Sequence, residues 1–263
     1  MKKIGFIGAG NMGSALARAA VKSGAEVYIY DKDTEKAKAL CEEICASFKE
    51  NTAIAAECDY IFLAVKPNII PIAMNEIGEK IKDNKNAVIV SIAAGVAIEK
   101  IAASDSRYPV IRIMPNTPAN VGEGLILWCK NAFVSDEALD GFIDVMTPAG
   151  TLLEIEESKI DAASAISGCG PAFVYMFLEA LADGGVECGL PRETAQRLAA
   201  QTLLGAAKMV LESGKHPGEL KDAVCSPGGS TIAGVAALEK GAFRATAASA
   251  VRASYEKTLK LGK

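Results

Sequence analysis

Two glycine-rich stretches carry the residue types and spacings suited to chemistry on a charged small molecule. The first, Gly8-Ala9-Gly10-Asn11-Met12-Gly13, follows the apolar run Ile4-Gly5-Phe6-Ile7 and precedes helix-type spacing at Met12, Leu16, Ala19 and Ala20. Strand, tight turn and helix in that order make a cradle for a dinucleotide's diphosphate. Gly8 permits the sharp turn, Gly10 lets a diphosphate approach the backbone, and Gly13 lets the helix pack closely on the strand. N–H groups around Ala9, Asn11 and Met12, with roughly half a positive charge from the helix dipole, favour an anion. Asp31 ends the next apolar run, Glu26 to Tyr30, where a carboxylate accepts from an adenosine ribose. The second stretch is Cys225-Ser226-Pro227-Gly228-Gly229-Ser230-Thr231. Its Pro-Gly-Gly forms a turn, and Ser230 or Thr231 is predicted to cap the helix that follows. Bare N–H groups there, with the hydroxyls of Ser226, Ser230 and Thr231, suit a carboxylate.

The chain supplies few other reactive groups. Its one histidine, His216, and its 7 cysteines, scattered and without a CxxC pair, make neither a zinc site nor a disulfide frame. The thiols read as buried or half-buried side chains in a reducing compartment. No Asp–His proton relay is expected. A net charge of −4 over 263 residues argues against nucleic acid or an anionic membrane as the main partner. No unbroken apolar run reaches the roughly 18 residues of a membrane span; the longest, Ala87 to Ile98, contains Ser91 and Gly95. With the first strand starting at Lys2 or Lys3, no leader is expected, and the expected location is the cytoplasm.

Both stretches need a scaffold. Tyr60 to Val65 reads as a strand covered on both faces that stops at Lys66-Pro67. Ala64, Val65 and Lys66 then lie beyond a strand's carboxyl end, where open α/β sheets bind ligands. Asp33 to Cys45 reads as a solvated helix, and Asn51 as the N-cap of a short one. A helix is predicted from Ile69 to Ile81 and a buried strand over Ala87 to Ser91, whose exit turn Ile92-Ala93-Ala94-Gly95 also faces the ligand side. Pro109 to Ile113 is a further strand, running into the stiff loop Met114-Pro115-Asn116-Thr117-Pro118. Gly124 to Trp128 and Gly150 to Ile155 close the sheet around a helix from Asp136 to Met146. This alternation predicts an α/β Rossmann domain, doubly wound with a mostly parallel sheet, over residues 1–157. Residues 158–263 read as an all-α C-terminal domain. Its helix Pro171 to Glu187 is apolar nearly all round, at Phe173, Val174, Tyr175, Phe177, Leu178 and Leu181. Such a helix needs cover on several sides, which predicts a homodimer or larger assembly.

Several segments together closely resemble the pyrroline-5-carboxylate reductases. They are Val65-Lys66-Pro67, Met114 to Pro118, Ser167-Gly168-Cys169-Gly170-Pro171-Ala172, Ala182-Asp183-Gly184-Gly185-Val186, and Leu220-Lys221-Asp222 with Ser226 to Thr231. The likeness runs in order along the whole chain, and the last motif is highly specific to that family. It implies hydride transfer from a reduced nicotinamide to the imine carbon of 1-pyrroline-5-carboxylate, giving L-proline in the last step of proline biosynthesis. By resemblance the substrate carboxylate sits on Gly228-Gly229-Ser230-Thr231, helped by Ser226 and Ser230. Thr231 is implied beside the ring nitrogen as hydrogen-bond partner and proton donor. Asn51 is implied at the adenosine ribose, with Ala64, Val65, Lys66, Ala93, Ala94 and Asn116 along the cofactor. The C-terminal helices of that family interlock as a dimer or a ring of dimers, so this second domain is implied to be a dimerisation domain.

Cofactor choice is drawn both ways. The family commonly uses NADPH and often accepts NADH. Asp31 repels a 2′-phosphate, whereas Lys32, Lys36 and Lys38 follow closely and offset it. Use of both is expected. Three rivals share this outline. A β-hydroxyacid dehydrogenase needs a lysine and an asparagine on the first long C-terminal helix, and Pro171 to Glu187 has neither. A ketol-acid reductoisomerase needs magnesium carboxylates; Glu179, Asp183 and Glu187 share a helix face but read as a solvated or interface stripe. A non-catalytic NADP(H)-binding sensor would have no use for the second anion cradle.

Overall fold

Short runs rich in Ile, Val, Phe and Tyr, bounded by Gly, Asn and Pro, become the strands of one sheet. The computed structural model describes residues 1–102 and 107–261. Its first half alternates β1 (Lys3–Ile7), α1 (Asn11–Lys22), β2 (Glu26–Tyr30), α2 (Thr34–Ile44), β3 (Ser47–Phe48), α3 (Asn51–Glu57), β4 (Tyr60–Leu63), α4 (Ile70–Asp83), β5 (Val88–Ser91), α5 (Ile98–Ile101) and β6 (Val110–Met114). After these come β7 (Gly124–Lys130), α6 (Asp136–Met146), β8 (Gly150–Glu154) and α7 (Glu157–Ser167). The eight strands lie in the order β3-β2-β1-β4-β5-β6-β7-β8. All neighbours are parallel except β6 and β7, which run antiparallel with Arg112 opposite Cys129. The order reverses direction after β1, which is the switch point where a doubly wound sheet opens a crevice.

Both faces are covered. One layer packs Leu16, Ala20, Leu40, Phe142 and Met146 onto Phe6, Phe62 and Ile111, with the Phe6 and Phe62 rings stacked at 4.5 Å. The other packs Ile54, Ile70, Met74, Ile77 and Ile160 onto Ile61, Leu63, Ile89 and Val110. Strands buried on both sides explain the unbroken apolar runs.

Helices alone follow: α8 (Gly170–Glu187), α9 (Arg192–Ser213), α10 (Pro217–Ala223), α11 (Ser230–Lys240) and α12 (Phe243–Leu261). The chain forms two compact units, one of Met1–Cys169 with the chain from Ser254 onward, the other of Gly170–Ala253. The core of the second is three alanines, Ala182, Ala195 and Ala199, with Leu178 and Val186 beside them. Large apolar side chains of this unit stay exposed, Met176 at 70% and Leu211 at 82%.

Four local expectations are corrected. The helix α2 is not solvated all round: Ala37, Leu40, Cys41 and Ile44 are buried, and Asp33 caps it by accepting from the Lys36 N–H at 3.1 Å. Glu50, not Asn51, is the N-cap residue of α3, because Asn51 already turns helically and points its buried amide at Glu76. Neither Ser230 nor Thr231 caps α11: both lie in its first turn, and Gly229 holds the cap position. Finally, the helical stretch Glu157–Glu187 holds an 18-residue window of mean hydropathy 1.4, long and apolar enough to cross a membrane by length and composition alone. Counting unbroken runs misses it, since Gly and Ser interrupt a run while lowering hydropathy little.

Candidate functional site

Beyond the carboxyl ends of β1, β2 and β4 lies a cleft of about 620 Å³. Gly8 opens it with φ +114, a conformation that favours glycine, and a Cβ there would sit 2.4 Å from the Ala64 carbonyl oxygen. At Gly10 a Cβ would meet nothing within 4 Å, so the space above it is open. Gly10 is also the N-cap of α1 with no side-chain cap, and the first turn holds no acid. The N–H groups of Asn11, Met12 and Gly13 find no acceptor among the described residues. An open glycine floor beside a bare helix start fits the diphosphate of a dinucleotide.

Of the residues expected at a cofactor, Gly8, Gly10, Asp31, Ala64, Val65 and Lys66 line this cleft. Ala9 contributes by bracing, its N–H donating to Asp31 Oδ2 at 2.7 Å, while Asp31 Oδ1 accepts from the Asp33 N–H at 3.0 Å. The acid at the end of β2 therefore also ties down the glycine turn. Asn11 is exposed at the helix start, and Met12 packs on the core. Asn51 stands behind the cleft, donating to the Glu76 carboxylate that lines it. Ala93 is buried at the end of β5, with Ala94 half-buried beside it. Asn116 lies outside the cleft lining, and its amide is engaged elsewhere: Nδ2 donates to the Ser167 carbonyl and Oδ1 accepts from the Leu125 N–H, both at 2.9 Å.

Sequence reasoning missed one wall. Ile69, Ile72, Ala73 and Glu76 line the cleft along α4 and the turn before it. Their i, i+3, i+4, i+7 spacing, directly after Lys66-Pro67, was the available signal. Charges in the lining balance, with Asp31, Asp33 and Glu76 against Lys32, Lys36 and Lys66. Lys38 does not join them: it pairs with Glu35 at 3.4 Å and lies over the Phe48 ring. Burial, then the Glu50, Glu76 and Asp31 carboxylates, push the Tyr30 phenol up.

The second glycine-rich turn repeats part of this design in the helical unit. Gly228 has φ +68, and a Cβ on Gly229 would sit 2.4 Å from Ser226 Oγ. Gly229 closes the turn by donating to the Ser226 carbonyl at 3.0 Å. Among the described residues the hydroxyls of Ser226, Ser230 and Thr231 have no partner, nor do the Ser230, Thr231 and Ile232 N–H groups. The turn offers donors to an anion.

Known proteins decide the family. The chain is 42% identical over 268 residues to the pyrroline-5-carboxylate reductase of Escherichia coli (strain K12), covering 100% of this chain and 99% of that one. It belongs to the pyrroline-5-carboxylate reductase family. The Arabidopsis thaliana reductase is 41% identical, across 98% of this chain and 95% of its own. Residues 157–261 match the family model described as pyrroline-5-carboxylate reductase dimerisation, and residues 3–95 match NADP oxidoreductase coenzyme F420-dependent. Among solved structures, the Plasmodium falciparum pyrroline carboxylate reductase with NADP bound superposes with a TM-score of 0.89 at 36% identity, covering 100% of this chain and 98% of that one. The Streptococcus pyogenes reductase gives 0.88 at 31% identity and 98% coverage of both. An archaeal ketol-acid reductoisomerase reaches 0.63 at 17% identity, a likeness of fold alone.

Proposed function

We propose that the chain reduces 1-pyrroline-5-carboxylate to L-proline with NADPH or NADH, the last step of proline biosynthesis. The carrying observation is that a chain alike over its full length to reductases of that name holds two bare, glycine-rich helix starts, one per unit. A bound reduced nicotinamide supplies the hydride. Gly8, Gly10 and the start of α1 hold its diphosphate, with Asp31 and Asn51 at the adenosine ribose. Ala64, Val65, Lys66, Ala93 and Ala94 form the wall along the cofactor. Ser226, Gly228, Gly229 and Ser230 hold the substrate carboxylate. Thr231 stands beside the ring nitrogen and donates a hydrogen bond to the lone pair that forms there as hydride adds to the neighbouring carbon. A protonated imine is already electrophilic, so orientation in a water-poor site does most of the work, and positioning alone lowers barriers by roughly 7–11 kcal/mol. Residues 1–157 serve the cofactor, and residues 158–263 serve substrate and assembly.

The exposed apolar helices are covered by a second copy rather than by lipid, giving a cytoplasmic homodimer, with a ring of dimers as its extension. The matched dimerisation model supports the dimer. Sedimentation at micromolar concentration is expected to give the dimer mass or a multiple; a monomer refutes it. For activity, oxidation of NADPH and of NADH is followed on adding pyrroline-5-carboxylate. Turnover with both is expected, since cleft charges balance. Background rates in a protein that still binds dinucleotide would make it a sensor.

A further inference from the structure

An ion network around a buried arginine and one amide–carbonyl bond tie the exit loops of β5 and β6 to one helix. Arg112, in the middle of β6, is only 3% exposed. Its Nη2 donates to Asp161 Oδ1 at 2.7 Å and its Nη1 to Glu157 Oε1 at 3.4 Å, both on α7. Its Nε–H meets no acceptor among the described residues. A buried ion pair is weak evidence of net stability, which leaves the geometry it fixes to be read from the other bonds.

What it fixes is legible from the other bonds. Glu157 Oε1 also accepts from the Ile98 N–H at 2.7 Å. Ile98 opens α5, at the far end of the turn that carries Ala93 and Ala94 away from β5. The near end of that turn is held by Ser91 Oγ, which accepts from the Ala93 N–H at 3.3 Å. At the other end of α7, the Ser167 carbonyl accepts from Asn116 in the loop leaving β6. One helix thus clamps the exit loop of β5 through its first residue and that of β6 through its last.

We propose that α7 is a brace for these two loops, with Arg112, Glu157 and Asn116 as positioning residues for the nicotinamide end of the cofactor. This rests on the cofactor reading above. Glu157 can be changed without opening the core, since its side chain is 37% exposed. Glu157→Ala removes the acceptor for Ile98, whereas Glu157→Gln keeps one. Dissociation constants for NADH and for ADP-ribose, which lacks nicotinamide, are measured by calorimetry on both variants alongside melting temperatures. Glu157→Ala is expected to weaken NADH by about tenfold and ADP-ribose by less than about twofold, the scale of a small misplacement at one end of a ligand. Glu157→Gln is expected to bring NADH back within about threefold of the parent protein. A lowered melting temperature with both constants unchanged overturns the brace, as does equal weakening of both ligands or a Gln variant as poor as the Ala one. Parent protein that binds neither nucleotide refutes the cofactor reading itself, a failure visible before any variant is made.

Discussion

The two glycine-rich turns are built alike and stand in opposite surroundings. Each ends in a glycine N-cap without a side-chain cap, and each leaves first-turn N–H groups bare. The N-terminal turn sits on a sheet that buries Phe6, Tyr60 and Phe62 on one face and Ile61, Leu63 and Ile89 on the other. The C-terminal one sits in a unit whose core, among the described residues, is three alanines. A bare helix start behind a glycine turn can therefore be built on either kind of support; the neighbours decide how much disturbance it tolerates.

The sharpest break of that parallel is a methyl group added to each turn. Gly8→Ala drives a Cβ into the Ala64 carbonyl at a positive φ, so a loss of about 3–5 kcal/mol in unfolding free energy is expected. Gly228→Ala meets open space and carries only the left-handed backbone cost, about 1–2 kcal/mol. Gly10→Ala, at an extended N-cap with nothing near, is expected to leave melting unchanged and weaken NADH about a hundredfold, as two charge-assisted hydrogen bonds are lost. Denaturant titration and calorimetry read all three, and equal losses at Gly8 and Gly228 would erase the contrast. At the second cradle, Thr231→Ala is expected to lower kcat by about ten- to a thousandfold, the weight of one hydrogen-bonding or acid–base group. Steady-state assays check it; unchanged turnover removes Thr231 from the mechanism.

Thiols and pH report on the same difference more gently. Burial pushes Cys58 up to about 12 and Cys129 up to about 11, from an ordinary 9.0. A raised folded-state value stabilises fully below pH 9, and that contribution drains away as pH climbs from 9 towards 11–12. Stability of the sheet unit is thus expected to fall across that window, followed by near-ultraviolet dichroism of Trp128. Under a disulfide reagent at pH 8, exposed Cys45 and Cys188 are expected to react at once, and Cys41, Cys58 and Cys129 only after denaturation. The smallest effect is at Cys45, which ends α2 at φ 59 without being glycine. Cys45→Gly should stabilise by about 0.5–1 kcal/mol, read as a small rise in melting temperature.

Most of the sheet was legible because strands covered on both faces announce themselves as apolar runs, and Gly8 to Asp31 marked the first crossover. Helix starts were less legible. Ser230 and Asn51 have cap chemistry, yet a glycine and a glutamate hold those positions, since extended backbone at a cap needs no particular side chain. The α4 wall escaped because Ile69, Ile72 and Ala73 read equally well as core. Arg112 escaped for another reason: nothing in Ile111-Arg112-Ile113 says that a cation in a buried strand has two carboxylates waiting 45 and 49 residues on.

The reversed direction of β7 has a topological consequence. Because β8 runs alongside it, β8 ends at the sheet's amino-terminal rim, and α7 climbs back to finish at Ser167, beside the loop that leaves β6. Had every strand pointed the same way, this helix would have carried the polypeptide down to the opposite rim. Parity alone, one turned pair of strands, returns the end of α7 to the rim where β6 finishes.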